Sequence, residues 1–306
     1  MEGNLKYSRL IKYPYNKAKD IYASVNRAVR DHANYKYISY KEAIFNLYRN
    51  RNLEYYSYNL SSLENFKTSD TIFILGSGPS LNSLDQSQVC HIKQNDSFGI
   101  NFSFLFEDLI PTFHSFGWHK KNYSLIKTVF SSFREAYKGV VIFLHTKQLR
   151  RLTHPRLTPY LFPVNPVLVC RYTLPRTISI DEPRNFTDED FESTISYRGS
   201  FSLILELVVQ MGYKNIVFLG VDLNTNDHFY DDLPQMKIEK ESRKEYYKKH
   251  FDSGTKFETL YPKPGKNIPM DKYYHSVADY LKRKKGVEVY IGFRDNLLYP
   301  KLPAYF

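Results

Sequence analysis

The chain has 306 residues, 42% of them apolar, which is enough for a folded core and excludes a disordered protein. Against 32 Asp and Glu stand 43 Lys and Arg, and the formal charge of +11 favours an anionic partner: a nucleotide substrate, nucleic acid or an acidic membrane surface. Only Cys90 and Cys170 are present, so neither a disulfide framework nor a cysteine metal cluster can be drawn, and a reducing, cytoplasmic setting is expected. The first 16 residues are polar, basic and tyrosine-rich rather than leader-like. No run approaches the ~20 apolar residues of a membrane span, so any membrane contact is expected to be peripheral.

Residues 1–68 read as a basic, Tyr-rich helical extension. Apolar spacings over Ala18–Ala33 (Ile21, Val25, Val29) and Tyr40–Tyr48 (Ala43, Ile44, Leu47) suit amphipathic helices. They either pack on the main domain as scaffold or dock on an anionic membrane or a partner. The Ser- and Asn-rich stretch Asn59–Asp70 reads as the connector to a second domain over 69–306.

That domain opens with TIFIL at Thr71–Leu75, a nearly continuous apolar run that suits a strand buried on both faces of a parallel sheet. Gly76-Ser77-Gly78-Pro79-Ser80 breaks it, and a helix is expected over Leu84–Cys90. A strand, a glycine turn and a helix N-terminus can aim several backbone N–H groups at one anion, although the same residues also make a ligand-free turn. Further strands are expected at Ser97–Asn101, Thr112–Phe116, Val140–Leu144, Asn215–Leu219 and Val287–Ile291. Helices are expected at Tyr123–Tyr137, Ser200–Met211 (ended by Gly212), Lys237–Phe251 and Lys272–Lys285. Six prolines within Pro155–Pro183 predict loops and short extended pieces, and the Gly- and Pro-bearing stretch Asp252–Met270 predicts a loop or lid, within a lid-like region of about 231–271. The tail from Gly292 to Phe306 reads as irregular. Strands alternating with helices predict an α/β, doubly wound, mainly parallel sheet of the variant Rossmann type.

In such a sheet the carboxyl ends of the strands collect the ligand. The glycine turn, Asn101 and Gly220–Asn224 are then expected to converge. Gly199 and Ser200, at the start of their helix, join them, and Asp222 is suited to accept bonds from ribose hydroxyls. Each alone is also explained as turn or cap chemistry.

GSGPSL after a first strand, Asn101 in GINFSFLFED, and GYKNIVFLGVD at 212–222 together resemble the bacterial sialyltransferases with a variant Rossmann fold, glycosyltransferase family 42. The same marks occur in related flagellin-modifying proteins. The resemblance follows the order of elements over about 71–306, with specific motifs over some forty residues. It implies a CMP-activated acidic nonulosonic sugar as donor, transferred with inversion and without a metal or other cofactor to a cell-surface glycan or glycolipid, such as lipopolysaccharide or capsule. It further implies that Gly76, Ser77, Gly78, Pro79, Ser80, Asn101, Gly199, Ser200, Gly220 and Asp222 hold the nucleotide. In the family one tyrosine soon after the aspartate helps hold the donor phosphate, and a second lies a few residues further on. Asn224 stands at the first position, which is a departure, and Tyr230, in HFYDD, matches the second. A homo-oligomer is left open.

Breaking the bond to CMP develops negative charge on the leaving phosphate, which Tyr hydroxyls or backbone N–H groups can stabilise. A histidine of suitable pKa can then take the acceptor's proton. The family's base lies in the loop after the tyrosines. His250 is the expected base here, with His275 and His228 as alternatives, or no histidine base at all, with Asp231, Asp232 or an inactive protein in its place.

Asp188-Glu189-Asp190 has the spacing of a metal-binding DxD but follows Thr187 as a helix N-cap would. A pyrophosphokinase-like enzyme of the same superfamily is a second reading, though GSGPSL lacks the P-loop lysine. A non-catalytic nucleic-acid-binding protein is a third; the Lys and Arg are dispersed and form no recognisable module, so no nucleic acid is expected.

Overall fold

The computed structural model describes residues 66–116, 129–145, 167–170, 172–173, 194–195, 200–250 and 268–306. The chain divides into two units, Met1–Tyr55 and Tyr56–Phe306, and every described residue falls in the second. The expected helices within 1–65, together with Gly199, Asp188–Asp190 and residues 251–267 of the lid, lie outside the described residues.

Seven parallel strands form the main sheet: β1 (Thr71–Leu75), β2 (Asp96–Ile100), β3 (Phe113–Ser115), β4 (Val141–His145), β5 (Val167–Cys170), β8 (Asn215–Leu219) and β9 (Glu288–Ile291), in the order β5-β4-β3-β2-β1-β8-β9. Two short strands, β6 (Tyr172–Thr173) and β7 (Thr194–Ile195), pair in parallel apart from it. The fold is therefore α/β with a doubly wound parallel sheet. From β1 the chain builds outward to β5, then returns to the other side of β1 for β8 and β9. The topological switch point lies between β1 and β8, where the register pairs Leu75 with Leu219.

Alternation along the central strands sends side chains into two cores. Ile72, Ile74, Ile216 and Phe218 face helices α2 (Ser200–Gln210) and α4 (Met270–Lys285), through Ile204, Leu207, Val208, Tyr274, Val277 and Leu281. Phe73, Leu75, Val217 and Leu219 face the other way, against Leu81 and Ile92. Residues buried on both faces explain why these strands read as continuous apolar runs.

Two departures from expectation have identifiable reasons. The helix expected from Leu84 starts later, as α1 (Gln86–Lys93), because Asp85 caps it: its carboxylate accepts from Gln88 N at 2.8 Å, and the Gln88 side chain accepts from Asp85 N at 3.0 Å. Between turn and helix lies a 3-10 segment, Pro79–Ser83. Within the proline-rich stretch, Val167–Cys170 is a fifth strand of the main sheet; it sits at the edge, directly after Pro166, where proline is tolerated. The tail after β9 is irregular but not loose. Tyr305 N donates to Ile291 O at 2.8 Å, and the Phe306 ring stacks on Phe73 at 6.1 Å.

Candidate functional site

At the switch point the glycine turn after β1 is stitched to the segment after β8. Gly76 N donates to Leu219 O and Gly78 N to Gly220 O, each at 2.8 Å, and Ser80 N donates to Asp222 Oδ2 at 2.7 Å. A Cβ on Gly76 would run into the Gly220 carbonyl, and one on Gly78 into the Asp222 carboxylate. The glycines are thus required by close approach of two protein segments. Three turn N–H groups are already bonded within the protein, and α1 begins six residues beyond Ser80 with its first turn capped by Asp85. The expected cradle of convergent N–H groups and a helix N-terminus is therefore not what the turn offers. It offers a fixed wall carrying the Ser77 and Ser80 side chains.

The segment 226–231 closes against this wall. Phe229 N donates to Ser77 O at 3.0 Å, and Asn82 Nδ2 donates to Phe229 O at 3.1 Å. His228 Nδ1 lies 3.2 Å from the Ser77 carbonyl, which can only accept, so Nδ1 carries the proton and Nε2 the lone pair. The His228 ring stacks on Tyr230 with centroids 5.0 Å apart. Burial and the neighbouring Arg243 cation push the imidazolium down to about 4, leaving His228 neutral at pH 7.

Phe229, the residue before Tyr230, donates its N–H to the Ser77 carbonyl, and Tyr230 itself is 3% exposed. Burial, then the carboxylates of Glu239 and Asp231, push its phenol well up, against the opposing pull of Arg243 and Ser77. It is a neutral donor. Behind it lies a charged cluster that sequence reading did not find. Arg243, from α3 (Lys237–His250), forms an ion pair with the buried Asp231, donates to Asn226 O, and lies 3.4 Å from Glu239 Oε1. Burial pushes the Glu239 carboxyl up. The i,i+4 spacing of Glu239 and Arg243 was the available signal, but it reads equally as a solvated helix pair.

Asn101 follows β2 at the same edge with φ of 55°, the only non-glycine residue of positive φ among the described residues. Its carbonyl accepts from His114 Nε2 at 3.0 Å. The next ring, Phe102, packs edge-on against Tyr230 at 5.4 Å. His114 is buried in β3, and its Nδ1 takes the Tyr137 hydroxyl at 3.2 Å. Burial pushes His114 down to about 3, against the Asn101 hydrogen bond.

The turn, Gly220, Asp222 and the His228–Phe229 segment are thus joined by hydrogen bonds, and Asn101 reaches them through the contact of Phe102 with Tyr230. Ser200 begins α2, and a helix feeding the start of β8 begins at the carboxyl edge of the sheet. Asn224 is exposed on the loop beyond Asp222. His250 closes α3, with its side chain outside the described set. His275 lies on α4, with Nε2 3.4 Å from Leu298 O. Among the described residues no group of three or more His, Cys, Asp or Glu could hold a metal ion, and no helix is long and apolar enough to cross a membrane.

No protein-family model and no curated protein matches the chain. Among solved structures it is similar to the sialyltransferase CstII from Campylobacter jejuni in complex with the substrate analogue CMP-3FNeuAc, at 15% identity and a TM-score of 0.43 over 76% of this chain and 86% of that one. It is also similar to the monofunctional α-2,3-sialyltransferase Cst-I from Campylobacter jejuni, at 14% identity and a TM-score of 0.36 over 78% of this chain and 82% of that one.

Proposed function

We propose that the protein is a sialyltransferase-like glycosyltransferase that takes an acidic nonulosonic sugar from a CMP-activated donor and passes it, with inversion and without a metal ion, to a glycan or glycolipid acceptor. One observation carries this reading. The switch point of the sheet, where open α/β proteins bind nucleotides, falls at the glycine turn and Gly220–Asp222, the motifs on which the sequence resemblance rests. Tyr230 directly follows Phe229, whose N–H donates to Ser77 of the same turn.

In this reading CMP lies along the wall formed by Gly76–Ser80, Asn101, Ser200 and Asp222. The acceptor oxygen attacks the anomeric carbon as its bond to the CMP phosphate breaks. Tyr230, protonated at working pH, and Ser77 donate hydrogen bonds as charge develops on that phosphate. The acceptor's proton passes to a base, and CMP leaves. His250 remains the proposed base. A second candidate is favoured by a specific observation: His228, stacked on Tyr230, has Nδ1–H held by the Ser77 carbonyl and so keeps its lone pair on Nε2. The region of about 231–271 is proposed as a lid, and 1–68 as a basic extension for peripheral membrane contact.

The test is release of CMP from CMP-sialic acid in the presence of a glycan acceptor, with and without EDTA. Release unaffected by EDTA is expected. No release, or release abolished by EDTA, would contradict the proposal. His250→Ala and His228→Gln, assayed side by side, identify the base as the one whose loss stops transfer while CMP still binds.

A further inference from the structure

Asn101 occupies the left-handed region that non-glycine residues seldom adopt. Asparagine tolerates it better than most residues, yet the conformation still needs a cause. The cause lies beneath the sheet edge. The carbonyl of Asn101 can only accept, so His114 Nε2 donates to it at 3.0 Å, and His114 Nδ1, lacking a proton, accepts from the Tyr137 hydroxyl at 3.2 Å. Both rings are wholly buried. Gly99 makes room for the arrangement, since a Cβ there would collide with His114 Nδ1. Phe116 packs, tilted, against the imidazole at 4.2 Å and Phe104 lies at 6.2 Å, so the ring has little freedom to turn.

We propose that His114 and Tyr137 form a buried positioning pair that fixes Asn101 in its left-handed conformation and thereby sets the geometry of the nucleotide wall at the end of β2. Neither residue touches substrate. Tyr137 selects the tautomer of His114, and His114 holds the Asn101 backbone. Phe102, one residue on, is held against Tyr230, so the same pair also fixes the approach of that segment to the phosphate side of the site.

The consequence for CMP rests on the proposed function, whereas the backbone effect does not, so two readouts are needed. The first is CMP affinity. His114→Leu, which removes the donor, is expected to weaken CMP binding about tenfold, the equivalent of one hydrogen bond. His114→Gln, which can restore an N–H near Nε2, is expected to recover most of the loss. In an Asn101→Ala background the further loss from His114→Leu should be smaller than in the wild type.

The second readout is melting temperature without ligand. Asn101→Ala should melt below Asn101→Gly, because glycine accepts positive φ at no steric cost. That gap, about 3 °C, should collapse when His114→Leu is added. A gap unchanged by His114→Leu overturns the positioning role, as does CMP affinity that falls additively in the double variant. A gap that collapses in a protein that does not bind CMP upholds the positioning and refutes the nucleotide reading. Tyr137→Phe, which keeps the ring and removes only the hydroxyl, supplies a milder probe should His114→Leu fail to fold, and it is expected to narrow the same gap.

Discussion

Ser80 N and Asp222 Oδ2 lie 2.7 Å apart, and this charge-assisted hydrogen bond ties the turn after β1 to the segment after β8 across the switch point of the sheet. Asp222→Ala removes the acceptor and leaves a part-buried N–H unpaired, which should cost about 1–3 kcal/mol by chemical denaturation and weaken nucleotide binding in parallel. Asp222→Asn keeps an acceptor oxygen and should cost less on both counts.

The glycines on either side of that bond offer a graded test. A Cβ at Gly76 meets the backbone carbonyl of Gly220, which cannot move without disturbing β8, whereas one at Gly78 meets first the Asp222 side chain. Gly76→Ala should therefore destabilise more than Gly78→Ala, with overpacking costs of about 1–3 kcal/mol. Equal melting temperatures for the two variants would mean that the two segments are not packed as described.

Asp96 anchors the entry to the domain. Its carboxylate accepts from Thr68 N at 2.8 Å, Thr68 Oγ1 at 2.7 Å, Ser69 N at 3.2 Å and the Tyr213 hydroxyl at 2.7 Å. Burial, with the Asp96 charge beside it, pushes the Tyr213 phenol up, so it stays a donor. Asp96→Ala should cost about 3 kcal/mol or more, since several buried donors lose one acceptor together. Tyr213→Phe, which removes one donor and leaves the others paired, should cost about 1 kcal/mol.

The strands at Thr71–Leu75 and Asn215–Leu219 were legible to the residue, because the run of four apolar residues that closes each is what a strand buried on both faces of a parallel sheet requires. The meeting of Asp222 with the glycine turn was legible because the polar ends of neighbouring parallel strands gather at one edge of the sheet. Val167–Cys170 was hidden by the surrounding prolines, which suppress a strand signal except at an edge. Two features of the site could not be read. The pairing of Arg243 with Asp231 joins a helix to a loop twelve residues earlier, and the contact between His114 and Asn101 depends on β3 lying beside β2. Neither has a local pattern, because both exist only once the strands and helices have packed.

Arg243 neutralises two carboxylates in a largely dry setting, with its side chain 10% exposed against 7% for Asp231 and 12% for Glu239. Arg243→Met leaves both acids without their cation and should cost about 3–5 kcal/mol. Glu239→Gln removes only the 3.4 Å contact of a carboxyl already pushed toward its neutral form, and should be far milder.

His114 predicts a pH dependence with a definite sign. Its folded pKa of about 3 lies below the ordinary value of 6.5, so between these values the unfolded chain binds the proton and the folded one does not. Its contribution to stability is complete above pH 6.5 and is lost progressively as pH falls toward 3, at about 1.4 kcal/mol per pH unit. Urea denaturation of wild type and His114→Gln at pH 7.5 and 5.0 should show a smaller loss for the variant. An identical loss would mean that His114 is accessible to protons in the folded state.

The most direct measurement is a ligand panel read by thermal unfolding of the whole chain. At about a hundred times its Kd, CMP should stabilise by about 2.7 kcal/mol, a rise of roughly 5 to 10 °C, without added Mg²⁺ and with little response to UDP or ADP. No shift with millimolar CMP, together with a clear shift from UDP or Mg-ATP, would contradict the assignment of the switch-point wall to a CMP-sugar donor.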